Sequence, residues 1–161
     1  MLCHFFAMIP DLLLLDYEPA HQPAFRALNH EWISQYFTIE PIDNEMLDNP
    51  EGYILAPGGH IFMASLGGEL VGTCALIKEH HGVYELAKMA VSPRAQGRGI
   101  GWALGQAILG KARELGAHRV ELLSNSRLGP ALALYERLGF RHVPAPPTAY
   151  QRTDVKMVLD L

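Results

Sequence analysis

The sequence predicts an α/β (α+β) domain built on one mixed, mostly antiparallel sheet of six to seven strands flanked by helices. Three observations carry this. Strand-patterned segments joined by tight glycine turns fill residues 60–91. A glycine-rich turn then opens an amphipathic helix. Beyond it, strand and helix patterns alternate, as they do when a sheet is covered by crossover helices.

Taken in order, Leu12 to Tyr17 reads as the first strand. Pro19 and Pro23 frame a helix start, and Phe25, Leu28, Trp32 and Tyr36 recur at helical spacing. Glu40 to Glu51 carries five acids and few apolar anchors, which predicts a short helix and a loop ending at Asn49-Pro50. His60 to Leu66 and Glu69 to Lys78 flank Gly67-Gly68, a two-residue hairpin signal. Gly82 separates the second of these from Val83 to Val91, the fourth strand, so this run pairs antiparallel. Ile100, Leu104, Ile108, Ala112 and Leu115 place one stripe on the next helix, and Gly116 stops it. Arg119 to Ser124 is a strand reached by a parallel crossover. Pro130 suits a helix's first turn; Ala131, Leu134, Tyr135 and Leu138 form its stripe, and Gly139 ends it. Phe140 to Val143 and Val155 to Leu161 are the closing strands, separated by a proline-rich loop.

With 161 residues, the chain is expected to form a single domain over 1–161 with a real core. Its net charge of -4 does not suit a nucleic-acid binder. Met1 to Leu15 is apolar, but it has no Lys or Arg and is interrupted by Asp11, which argues against a secretory leader or a membrane span. Cys3 and Cys74 show no metal-ligand spacing, so no metal is expected; two thiols in this length suit a reducing compartment. The expected location is cytoplasmic.

The segment that points to chemistry is Val91 to Gly101, with Gln96-Gly97-Arg98-Gly99-Ile100-Gly101 at its end. Three glycines in five positions allow a tight turn and close approach to a ligand. The helix that follows presents unpaired N–H groups and the positive end of its dipole, which favours an anion such as diphosphate. A P-loop string is absent, and a Gly-x-Gly-x-x-Gly turn fails at Trp102 or Leu104. Glu121 stands near the start of its strand, where a ribose-binding acid of a dinucleotide site would be misplaced. A ligand-free tight turn remains the bland alternative.

Gln96-x-x-Gly99-x-Gly101 resembles the signature of the GCN5-related N-acetyltransferase (GNAT) superfamily. Glu85-Leu-Ala-Lys-Met-Ala-Val91 resembles that family's fourth strand, and Ala131 to Phe140 resembles its last helix and the strand after it. The resemblance implies transfer of an acetyl group from acetyl-CoA, as co-substrate, to a primary amine of a small molecule, peptide or protein. It implies a pantetheine arm lying on Met89, Ala90 and Val91, and diphosphate held by the backbone of Gly97 to Trp102 (Gly97, Arg98, Gly99, Ile100, Gly101, Trp102), after Gln96. Tyr135 matches the family's proton donor to the leaving thiolate, and it can contact the CoA arm; its competing reading is core packing. Glu85 matches a glutamate that some members use as a base. His80, His81, His118 and Glu121 are alternatives by residue type. Where many relatives carry a CoA-holding asparagine this chain has Leu128; Asn125 is either a substitute or a turn residue.

The acceptor is expected between the first helices and the last loop, near Trp32, Tyr36, Phe37 and Tyr150, with Glu40, Asp43 and Glu45 close in sequence. Aromatics with acids would suit a cationic amine, and the competing reading of most of these residues is packing or solubility, so they name no substrate. The resemblance leaves a homodimer open and implies neither a membrane nor a nucleic-acid partner. A non-catalytic CoA-binding or regulatory module on the same fold is the second reading.

Overall fold

The computed structural model describes residues 9–148 and 150–161, so Cys3 and the first eight residues of the apolar start lie outside the described residues. The elements run β1 (Leu12–Asp16), α1 (Gln22–Tyr36), α2 (Pro41–Asp48), β2 (His60–Leu66), β3 (Glu69–His80), β4 (Val83–Val91), α3 (Ile100–Glu114), β5 (Arg119–Ser124), α4 (Gly129–Leu138), β6 (Arg141–Val143) and β7 (Val155–Asp160). A π-helical turn at Glu51–Leu55, not anticipated, follows α2. The predicted order of strands and helices is reproduced, with ends shifted by one or two residues.

The seven strands form one sheet in the order β1-β2-β3-β4-β5-β7-β6. All neighbours pair antiparallel except β4 and β5, which are parallel, as the β4–α3–β5 crossover requires. Two apolar layers cover the two faces. Cys74, Leu76, Tyr84 and Leu86 pack under α3 and α4 with Leu104, Ile108, Tyr135 and Leu138. Ile61, Met63, Ala75 and Ala90 pack under α1 and α2 with Phe25, Leu28 and Leu47. The helices α3 and α4 touch closely because Gly105 leaves room for Leu138; a Cβ there would stand 2.6 Å from Leu138 Cδ1.

Two irregularities position everything that follows. First, β4 pairs with β5 only at Val83, Glu85 and the residue between them, whereas β5 pairs with β7 along its whole length. Among the described residues, no strand lies against the β5-facing edge of β4 from Leu86 to Val91, and the sheet opens into a wedge. Second, Ala87 pairs with Ala75 and Ala90 with Thr73, so Lys88 and Met89 together oppose Cys74. This is a β-bulge, and Lys88 takes φ 53 within it.

Candidate active site

The wedge between β4 and β5 is the throat of a pocket. Its wall takes Asn29, Trp32, Ile33 and Phe37 from α1, Glu85 to Met89 from β4, and Leu123 to Asn125 from β5. Leu128 and Tyr135 close it on the α4 side, and Tyr150, Arg152 and Thr153 close it on the side of α2. Its lining thus takes residues from both sides of the sheet, Trp32 and Ile33 of α1 on one and Tyr135 of α4 on the other.

On the α3 face the phosphate-binding turn has the conformation its glycines suggest. Gly97 and Gly99 sit at φ 77 and φ 85, a region that costs other residues about 1–2 kcal/mol. A Cβ on Gly97 would meet nothing within 4 Å, so that backbone is open to a ligand. Gly99 caps α3, and the first amides of that helix have no intrahelical acceptor. The Gln96 side chain donates to the Val91 carbonyl at 3.1 Å, tying the turn to the end of β4. Arg98 is exposed and borders a shallow cleft with Asp11, Leu66 and Gly67. Gly101 lies against Leu134, and Trp102 carries the Arg137 guanidinium 5.0 Å over its ring. Among the described residues, the turn thus presents open backbone at Gly97, and β4 an unpaired edge at Met89 to Val91.

Tyr135 reaches the pocket from α4, packed edge-on against Phe140. Burial, with Cys74 close by, pushes its phenol above its ordinary value, so it is protonated at neutral pH. Both readings of Tyr135 meet here: it belongs to the core and it faces the pocket.

Glu85 lines the pocket from β4, in register with Glu121 of β5. Burial, then a hydrogen bond shared with Glu79 and that group's charge, raises its carboxyl to about 8, with Lys88 acting the other way and Glu121 adding to the rise. A carboxyl tuned upward by burial suits proton transfer near neutral pH. Glu121 is tied to Lys156 at 3.3 Å and does not line the pocket. His80, His81 and His118 are exposed, at the paired end of β4 and β5, and none lines the pocket.

Asn125 is a turn residue: its Nδ2 donates to the Arg152 carbonyl at 2.6 Å, and its Oδ1 accepts from the Arg127 amide at 2.9 Å. It borders the pocket, but both ends of its amide are engaged by the protein.

On the acceptor face Trp32, Phe37 and Tyr150 line the pocket, while Tyr36 points outward and is 47% exposed. The acids near them in sequence do not line the pocket. Asp43 is fully buried and accepts two bonds from Arg152, at 2.9 and 2.6 Å, plus one from Lys88 at 3.5 Å. Glu40 accepts from Arg152 at 3.0 Å, and Glu45 is exposed. Lys88 also donates to the Tyr150 hydroxyl at 3.2 Å, and Arg152 stacks on the Tyr150 ring at 4.6 Å. Lys88 and Arg152 went unmarked by sequence reasoning. One signal existed: the apolar positions of β4 facing α3 run Tyr84, Leu86, Met89, Val91, and the single step of three betrays the bulge.

Comparison with known proteins agrees with this geometry. An acetyltransferase of the GNAT family from Staphylococcus aureus Mu50 superposes with a TM-score of 0.84 over 92% of this chain and 98% of its own, at 20% identity. A Bacillus subtilis acetyltransferase in complex with CoA superposes with a TM-score of 0.72 over 93% and 99%, at 22% identity. These likenesses show the fold, that of the GNAT acetyltransferases. In sequence, the model of the acetyltransferase (GNAT) family matches residues 18–140, and the chain belongs to that family. It is 33% identical over 141 residues to the N-acetylaspartate synthetase of Rattus norvegicus, covering 87% of this chain and 47% of that protein. The chain thus spans about half the length of that relative.

Proposed function

We propose that residues 1–161 act as one N-acetyltransferase domain, which moves an acetyl group from acetyl-CoA to a primary amine by direct attack in a ternary complex. The observation that carries this reading is one pocket at the opened edge of β4 whose lining holds both Glu85 and Tyr135, with the glycine turn following the same strand.

In this reading the open backbone of Gly97 to Trp102 holds the diphosphate, with Arg98 beside it. The pantetheine arm pairs with the free edge at Met89, Ala90 and Val91, as an added strand would. Gln96 holds the turn in place through Val91. Asn125 shapes the loop that carries Arg152.

The acceptor arrives as an ammonium and must lose a proton before it can attack. Glu85 takes that proton. The new C–N bond then forms as the thioester C–S bond breaks, with an N–H from the free edge of β4 stabilising the carbonyl oxygen. Tyr135 donates its proton to the departing sulfur, the nitrogen sheds its second proton to solvent as the amide forms, and Tyr135 is reprotonated from solvent.

The rat relative is named for N-acetylaspartate, a product of acetyl transfer to an amino acid. The alternative, a CoA-binding module without catalysis, makes an opposite forecast. Release of free CoA thiol should depend on added amine. Acetyl-CoA binding without thiol release, across a broad amine panel, would establish the module instead.

A further inference from the structure

β4 alternates in the ordinary way up to Ala87. Tyr84 and Leu86 enter the core beneath α3 and α4, so Glu85 and Ala87 face α1 and α2. Uninterrupted alternation would send Lys88 after Leu86, into the apolar layer around Leu104 and Ile108. The bulge prevents this. Met89 takes the core-side place, Ala90 returns to the layer under α1, and Lys88 is turned onto the same face as Glu85. Its left-handed backbone conformation is one that a non-glycine residue adopts at a cost of about 1–3 kcal/mol, and such strain gathers at functional positions.

The result is a pocket wall with an unusual charge. Three ionisable side chains other than tyrosine line it: Glu85, Lys88 and Arg152. The side chains of Lys88 and Arg152 are only 7% and 16% exposed. The carboxylates that balance them, Asp43 and Glu40, stand behind them, outside the pocket wall. Asp43 and the Tyr150 ring hold the Arg152 guanidinium in a fixed plane. Outside the wall, the exposed Arg127 lies over the Phe37 ring at 4.7 Å. A simple diamine would bring a second cation against this wall. An acceptor with its own carboxylate would meet it with the opposite sign.

We infer that the acceptor is a small amine carrying a carboxylate, seated with the carboxylate on Lys88 and Arg152 and its amino group toward Glu85. This deepens the proposed function and rests on it. The bulge that points Lys88 into the pocket makes this lysine a specificity-determining residue, and the strand spacing sets the distance between the acid and amine ends of the ligand.

Two measurements test it. In the first, turnover with acetyl-CoA is compared for aspartate, glutamate and alanine against alaninamide, ethylamine and putrescine. Carboxylate-bearing amines should be preferred ~10–100-fold in kcat/KM, the range of a charge-assisted hydrogen bond. Lys88→Gln should raise their KM by about 10-fold while the KM for acetyl-CoA stays within about two-fold, and Lys88→Arg should restore much of the loss. Equal use of amides and decarboxylated amines, or an equal loss for every acceptor in Lys88→Gln, would overturn the inference. The second measurement is calorimetric binding of the same amino acids to the CoA-loaded protein. If no amine is acetylated, the proposed catalysis fails, but carboxylate binding lost in Lys88→Gln and kept in Lys88→Arg still supports the anion seat. Absence of such binding overturns it.

Discussion

The two sides of the opened sheet are built from different materials. The α3 side is backbone: left-handed Gly97 and Gly99, the first amides of α3, and the free edge of β4. The α2 side is side chain: Lys88, Arg152, Asp43, Glu40 and Tyr150, joined by ion pairs whose members, Arg152 and Asp43, are 109 residues apart. A backbone site needs only the right dihedral angles, so short spacing rules encode it. A side-chain site exists only after the chain has folded, and its sign can be opposite to what its sequence neighbours suggest. Glu40 and Asp43 stand in an acidic stretch of sequence, and in three dimensions the half-buried Glu40 and the buried Asp43 are counter-charges to Lys88 and Arg152.

Four substitutions sharpen or break this contrast. Tyr135→Phe should have the largest effect. Loss of a proton donor lowers turnover ~10²–10⁴-fold, while acetyl-CoA binding, which the backbone carries, changes little. Steady-state kinetics beside a binding titration decide this, and an unchanged rate would make Tyr135 a core residue only. Asp43→Ala comes next. It leaves Arg152 and Lys88 partly buried without their partner, and should cost about 3–5 kcal/mol of stability in chemical denaturation. Burial alone would raise the Asp43 carboxyl, but the bonds from Arg152 and the Glu40 amide, with the charges of Lys88 and Arg152, hold it below the usual range. Its stabilising contribution is therefore present above pH ~4 and is lost as pH falls through the depressed value. The wild-type protein should show this acid-limb loss and the variant should lack it.

Glu85→Gln should lower turnover ~10²-fold and remove the rise in rate as pH climbs toward the Glu85 value. The stability signature has the opposite sign from Asp43. The fold holds Glu85 neutral up to about 8, whereas an unfolded glutamate ionises near ~4.3. Between those values the native state binds the extra proton, so wild-type stability falls as pH rises, and it levels off above the folded value. Glu85→Gln should flatten that fall, giving a higher melting temperature than wild type at pH ~9. A flat wild-type curve would refute the buried, raised carboxyl. Gly99→Val is expected to have the smallest effect: at φ 85 it should weaken acetyl-CoA binding by ~10-fold, with acceptor KM little changed. Unaltered affinity would remove the glycine turn from the donor site.

The same division explains what could be read from the sequence. The strand and helix order was legible because periodicity and glycine stops are local, and the donor turn was legible because Gly97, Gly99 and Gly101 constrain their own backbone. Tyr135 and Glu85 came from resemblance, and the structure adds that both line one pocket. The order β5-β7-β6 was not assigned, because nothing near Arg141 states which strand it joins. Arg152 was missed because it lies in a loop without regular pattern, and its meaning depends on α2. Lys88 was missed because strict period-two reading treats a strand as regular, and the extra residue between Leu86 and Met89 breaks that regularity.

The free edge of β4 has one more consequence, and it concerns solubility. An unpaired strand edge at the rim of a sheet is a template for aggregation, because any extended chain can add to it. Here the hydrogen-bonding edge is kept inside the sheet. The full pairing of β5 with β7 holds the far wall in place, and the junction at Glu85 closes one end. A slot of that shape admits a thin, flexible thread and refuses a polypeptide with side chains on both faces. Among the described residues no strand pairs with the outer edge of the rim strand β1, where Leu13 is 62% exposed, and self-association should begin there rather than at the slot.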